Sequence, residues 1–238
     1  MQNIENEALL WWVLLLVILY FTKRVEIFNS QCYNKKECHA IRGRVMIKTK
    51  QDLKRYLTQD AKALKVIGKK RPSLVGDEVW KYQILLRKRE YYANMKKSKR
   101  LLRLPYFILL RYRFRKASIK LGFTIPLNVF GEGFSIAHYG TIVVNGSAKV
   151  GKNCRIQEGV NIGATNGTSN APVIGNNVFI GTGAKIIGGV KIADDVCIGA
   201  NAVVVKSIDE PGTTWGGVPA RKISNNSSRS NLSPYLFE

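Results

Sequence analysis

The chain has 238 residues, with 38 Lys and Arg against 16 Asp and Glu, a formal net charge of +22 and a pI near 10.0. That length allows one large or two small domains, each with ample chain for a core. Four cysteines are too few for a disulfide scaffold. The positive balance suits nucleic acid or an anionic membrane, but no nucleic-acid-reading motif occurs, so no nucleic acid partner is expected.

Residues 1–45 read apart from the rest. Ala8 to Phe21 is an uncharged apolar run. As a helix it spans about 21 Å, short of the ~30 Å hydrocarbon core. Glu5 and Glu7 precede it, where a signal peptide would be basic. As an anchor, it would have Lys23 and Arg24 to hold the following chain in the cytoplasm. Met46-Ile-Lys-Thr-Lys-Gln-Asp-Leu also reads as a natural start, which would make residues 1–45 an upstream extension. Cys32, Cys38 and His39 lack the spacing of a zinc site, so no metal is expected. A reducing, cytoplasmic setting fits, with membrane association open.

Residues 46–124 form a basic helical stretch holding 23 Lys and Arg against 5 Asp and Glu. Leu53, Leu57, Ala61 and Leu64 share one helical face. Gly68 to Gly76, with Pro72, breaks the pattern, and Trp80, Ile84, Leu85 and Tyr91 resume it. Leu101 to Leu121 mixes Phe107, Ile108, Leu110, Phe114 and Ile119 with Arg103, Arg111, Arg113, Arg115 and Lys120. Such a helix either packs its apolar face on the domain or on another assembled copy of the chain, or makes peripheral contact with an anionic membrane.

Residues 125–224 carry a repeat. Every sixth position from Val144 to Val204 is Val or Ile, except Thr168. A second row, four places later, runs through Ala148, Cys154, Val160, Pro172, Val178, Ala184, Val190, Val196, Ala202 and Ile208. A helix needs apolar spacings of three and four, and a half-buried strand needs two. A period of six fits a coil of short strands and turns, the parallel β-helix. One rung cannot bury its own apolar edge, so such a coil is stable only through stacked neighbours. Gly163–Asn170 is polar where the ladder should continue, yet the phase returns at Ile174, so this stretch is expected to loop outward. Residues 225–238 read as a polar tail, disordered over Ser224 to Ser233.

Four stretches carry a resemblance: Ser135-Ile-Ala-His-Tyr-Gly-Thr-Ile-Val-Val144, the Gly163–Asn170 loop, Ile180-Gly-Thr-Gly-Ala-Lys-Ile-Ile-Gly188 and Gly216-Gly-Val-Pro-Ala-Arg-Lys-Ile223. They resemble the hexapeptide-repeat acyltransferases, specifically the serine O-acetyltransferases and related surface-polysaccharide acetyltransferases. The resemblance implies an α+β chain, an N-terminal helical segment followed by a left-handed parallel β-helix. It implies a homotrimer or a dimer of trimers with sites between subunits, and acetyl-CoA as acyl donor with no metal.

His138, the single histidine after residue 46, matches the family's catalytic histidine and falls in the phase of the ladder. Imidazole is suited to taking the proton of an attacking hydroxyl. No activated Ser or Cys is visible, so direct transfer is expected, with Gly163 or Gly181 as an oxyanion donor. Thr182, Gly183, Ala184, Gly199 and Ala200 match the pantetheine strip, and Lys206, Arg221 and Lys222 would face the phosphates. The family's acid before the histidine is Ala137 here, its upstream acid falls at Phe123, and its second histidine is absent from Ser169-Asn-Ala-Pro172. Glu132 and Glu158 remain as carboxylates to orient His138. These departures put a sugar hydroxyl of exopolysaccharide or capsule synthesis first as acceptor and L-serine of cysteine biosynthesis second. A non-catalytic β-helix scaffold is the third reading.

Overall fold

The period of six closes into a three-sided coil. The computed structural model describes residues 46–165 and 170–238, so residues 1–45 with their apolar run, and Thr168 within the loop, lie outside it. One face stacks β1 (Phe123–Thr124), β3 (Ile142–Val144), β6 (Asn161–Gly163), β9 (Lys185–Ile187) and β12 (Val203–Val204). The second stacks β4 (Lys149–Val150), β7 (Val173–Ile174) and β10 (Lys191–Ile192). The third stacks β2 (Ser135–Ile136), β5 (Arg155–Ile156), β8 (Phe179–Ile180), β11 (Cys197–Ile198) and β13 (Thr214–Gly216), with β14 (Arg221–Ser224) added at the end. All pairings are parallel except β13 with β14.

The register explains the two apolar rows. Ile174 pairs with Ile192, Ile180 with Ile198 and Ile186 with Val204, so three hexads make one coil. Each row then projects inward at every corner-to-corner step. Ile156, Ile162, Ile180, Ile186 and Ile198 are fully buried, as are Ala148, Cys154, Val178, Ala184, Val196 and Ala202. Branched side chains thus stack on like neighbours, each buried Val or Ile contributing about 1.5–3 kcal/mol. One coil is longer: Val150 pairs with Ile174 and Ile162 with Ile186, six residues beyond the usual step. The excess leaves between β6 and β7, where the polar interruption of the ladder predicts a loop.

Gly151 shows how tightly the coils stack. A Cβ there would lie 2.6 Å from the Gly175 carbonyl oxygen and 2.7 Å from its carbon. Backbone cannot yield as a side-chain end can. Gly151→Ala is expected to destabilise the protein by about 1–3 kcal/mol, the range for overpacking. Urea unfolding checks this, and an unchanged midpoint would contradict it.

Four helices precede the coil: α1 (Lys50–Ala63), α2 (Glu78–Asn94), α3 (Lys97–Leu101) and α4 (Leu104–Leu121). Thr49 opens α1 with a capping box, its hydroxyl accepting from Asp52 N while Asp52 accepts from Thr49 N. Gly122 closes α4 in the left-handed region, at φ 77°. The buried face of α1 differs from the expected one. Tyr56, Asp60 and Ala63 are buried, while Leu53, Leu57, Ala61 and Leu64 are only partly so. A buried aspartate draws the helix round onto its partner, Arg87 of α2.

That pair belongs to a polar cap over the first coil. An open coil end exposes unpaired backbone groups, as any sheet edge does. Gln83 supplies a missing rung, donating from Nε2 to Phe134 O (2.7 Å) and accepting from Ile136 N (3.1 Å). Arg87 donates to Asp60 Oδ2 (2.7 Å), Glu90 Oε2 (3.0 Å), Phe130 O (3.0 Å) and Gly131 O (2.6 Å). Asp60 accepts from Phe134 N, and Glu90 from Asn128 N. Burial works against the Arg87 charge, but the Asp60 and Glu90 carboxylates outweigh it and hold the guanidinium above its ordinary range.

The C-terminal stretch is ordered, against the expected disorder. Ser228 is fully buried and donates to Asn177 O, while Leu232 and Ser233 are buried too. Arg229 reaches Asp195 at 2.9 Å, and Ser233 Oγ donates to Lys62 O of α1 at 2.6 Å. Short polar side chains that read as disorder in sequence here bond backbone groups of the coil and the helices.

Candidate active site

His138 does not occupy the interior ladder, as its phase predicts. Ile136 pairs with Ile156 and Val144 with Ile162, so the upper coil holds two residues more than the coil beneath it. Ala137 N bonds Ile156 O, and Gly159 N bonds Thr141 O. His138, Tyr139 and Gly140 therefore stand opposite the single residue Glu158. The two extra residues turn His138 out of the core, and the ring is exposed. The sequence signal for this was present: the apolar row skips from Val144 back to Ile136, eight residues and not six.

Directly below, Glu158 lies so close that a Cβ on Gly140 would meet its own Cβ at 2.9 Å. Its Oε2 is buried and makes no hydrogen bond among the described residues. Glu132, the other carboxylate considered, is held by Arg55 (2.7 Å) and Lys152 (2.9 Å). Phe123 is buried against the edge of Tyr82, centroids 4.9 Å apart, and brings no acid to the site.

The hydrogen-bond ladder continues the same corner downward. Gly183 N donates to Glu158 O (2.8 Å) and Asn201 N to Thr182 O (2.7 Å). His138, Glu158, Thr182 and Ala200 thus mark one edge of the coil. Thr182 gives its N–H and hydroxyl to Gln157 Oε1, at 3.0 and 2.8 Å. Gly183 and Gly199 sit on this edge with their N–H groups used between coils. Ala200 is exposed, and its N–H makes no hydrogen bond among the described residues.

Two expected roles are lost here. Ala184 is fully buried, its N bonded to Gly181 O and its O to Asn161 N, so it faces the core and not a ligand. Gly181 N is committed to Ile198 O at 2.8 Å, which removes it as an oxyanion donor.

Lys206, Arg221 and Lys222 come together elsewhere. They line a groove of about 370 Å³ at the C-terminal end of the coil, with Trp215, Pro219 and Ala220. Lys222 is ion-paired with Glu210. Lys206 and Arg221 are exposed and form no ion pair among the described residues. No group of three or more His, Cys, Asp or Glu is placed to hold a metal among those residues.

Residues 171–206 match the family described as bacterial transferase hexapeptide (six repeats). Over 100 residues the chain is 40% identical to a serine acetyltransferase of Mycobacterium tuberculosis, covering 41% of this chain and 43% of that protein. Over 96 residues it is 36% identical to a serine acetyltransferase of Helicobacter pylori, covering 40% of this chain and 56% of that protein. The crystal structure of serine acetyltransferase from Brucella abortus superposes with a TM-score of 0.57 at 25% identity, covering 75% of this chain and 71% of that one. Over its repeat region the chain is similar to the hexapeptide-repeat, serine O-acetyltransferase-like proteins. Helices followed by a left-handed β-helix are the architecture that goes with this family. The matched stretch spans about half the length of the curated relatives, 43% and 56% of these two. Ala137 and Phe123 bring no acid to this turn, so Glu158 is the carboxylate beside it among the described residues.

Proposed function

We propose that the protein is an acetyl-CoA-dependent O-acetyltransferase in which His138 is the general base. The observation that carries this reading is the exposed His138 at the head of a corner shared with Thr182 and Ala200. The acceptor hydroxyl would approach the imidazole and lose its proton as its oxygen attacks the thioester carbon. The carbon–sulfur bond then breaks, and coenzyme A leaves as the thiol. The pantetheine arm would run along the corner, with Ala200 N–H as a donor to one of its amides. Lys206 and Arg221, in the terminal groove, would take the phosphates. An edge open to solvent suits a site completed by a neighbouring subunit of a trimer.

The relatives' names favour L-serine as acceptor over a sugar hydroxyl, reversing the order drawn from the sequence. A sugar stays as the second reading because Ala137 offers no carboxylate to an amino acid's ammonium group. The test offers acetyl-CoA with L-serine, or with hydroxylated sugars, to the full chain and follows free thiol. Thiol release dependent on L-serine is expected. If no acceptor of either class supports thiol release, the scaffold reading is left.

Lys206→Ala and Arg221→Ala should each raise the KM for acetyl-CoA about tenfold or more. A hydrogen bond to a charged group contributes about 1.5–3 kcal/mol. Steady-state kinetics at saturating acceptor would show the change in KM with kcat largely kept; unchanged KM values would remove the groove from the donor site.

A further inference from the structure

The outer face of α4 has no role in the proposed chemistry. Its inner face packs Leu110, Phe114 and Leu121 on the domain, Phe114 stacking on Tyr82 at 5.2 Å. Its outer face is apolar too. Ile108, Leu109, Tyr112 and Ile119 are exposed along one stripe, and Leu101 and Leu102 extend it at the end of α3, Leu102 being 86% exposed. A helix apolar on both faces calls for a second apolar neighbour.

The charge around the stripe is of one sign. Between Glu90 and Glu132 the chain has ten Lys and Arg and no Asp or Glu. Arg89, Arg100 and Arg111 gather round the Phe107 ring, their guanidinium carbons 5.9, 5.6 and 5.9 Å from its centroid. None of the three forms an ion pair among the described residues, and Arg89 Nε is buried without a hydrogen bond. Burial, and then the neighbouring Arg111, push the Arg89 guanidinium down to about 10. Like charges held together without carboxylates are relieved by an anion from outside the chain.

We propose that the outer face of α4, with the end of α3, docks on an anionic membrane surface, its apolar stripe entering the headgroup boundary and its exposed Arg113 and Lys116 taking lipid phosphates. The helix lies in the interface plane and does not span: no helix of the described residues is long and apolar enough to cross a membrane. A basic helix with an apolar stripe has the composition that binds this way. Charge complementarity favours this occupant over a second copy of the chain, whose same face would bring its exposed Arg113 and Lys116 against their own copies.

The test is cosedimentation of the full chain with phosphatidylcholine vesicles, with or without about a third phosphatidylserine. Binding to the anionic vesicles, weakened by salt, is the expected result. Each basic residue near the surface carries about a fivefold change in partition. Arg113→Glu with Lys116→Glu should therefore lower binding at least about 25-fold, and Leu109→Glu should also weaken it. These side chains are exposed, and thermal melts of the variants verify the fold. His138→Ala should bind vesicles as the unaltered chain does, which separates this proposal from acetyl transfer. Equal binding to neutral vesicles, no binding at all, or variants that bind undiminished would overturn it. So would light scattering in which Leu109→Glu dissolves an oligomer while vesicles are ignored, because the face would then belong to a second copy.

Discussion

Replacing His138 by alanine is expected to lower acetyl transfer by about 100-fold or more, with the fold unchanged. General-base catalysis contributes about 10²- to 10⁴-fold, and no other histidine lies in the described residues to substitute. The ring is exposed at a turn, so its removal leaves no cavity in the ladder and melting should match the unaltered protein. Thiol release measured at saturating acetyl-CoA and acceptor reads the effect. A variant that melts normally and transfers acetyl at the full rate would sink the general-base assignment. It would do so without touching the β-helix, whose interior rows do not include this residue.

Arg87→Met is expected to destabilise the protein by about 3–5 kcal/mol, the range for removing one partner of a buried ion pair. The side chain is fully buried and joins Asp60, Glu90, Phe130 O and Gly131 O. Methionine fills similar space but leaves two buried carboxylates uncompensated and two carbonyls of the first coil unpaired. Removing the carboxylates as well should not restore stability fully. Asp60 and Glu90 also accept from Phe134 N and Asn128 N, which would lose their partners in turn. Urea unfolding of the single and triple variants measures both effects. A triple variant as stable as the unaltered protein would show that the coil edge does not need these acceptors.

The ladder was legible because its cause is local and repeated. Ten Val and Ile at a strict interval of six can be buried together only by a coil of three hexads, and every one of them is inward. The longer coil was legible for the same reason, since the phase broke and returned. His138 shows the limit of that logic. Its identity and family context were readable, but its orientation depends on two extra residues measured against the coil beneath, a register between chain segments. The helices repeat the lesson. Their existence follows from apolar spacing and breakers, but the face that α1 buries follows from where Arg87 waits.

The sequence by itself determined the β-helix, the longer coil within it, the basic helical region and the histidine of the candidate site, because each is written in residues near one another or in a fixed interval. Only the tertiary structure decided that His138 leaves the core, that Lys206 and Arg221 share a groove and that the polar tail is tied down. These depend on which backbone groups of distant coils remain unpaired and which side chains reach them, and spacing along the chain carries no record of that.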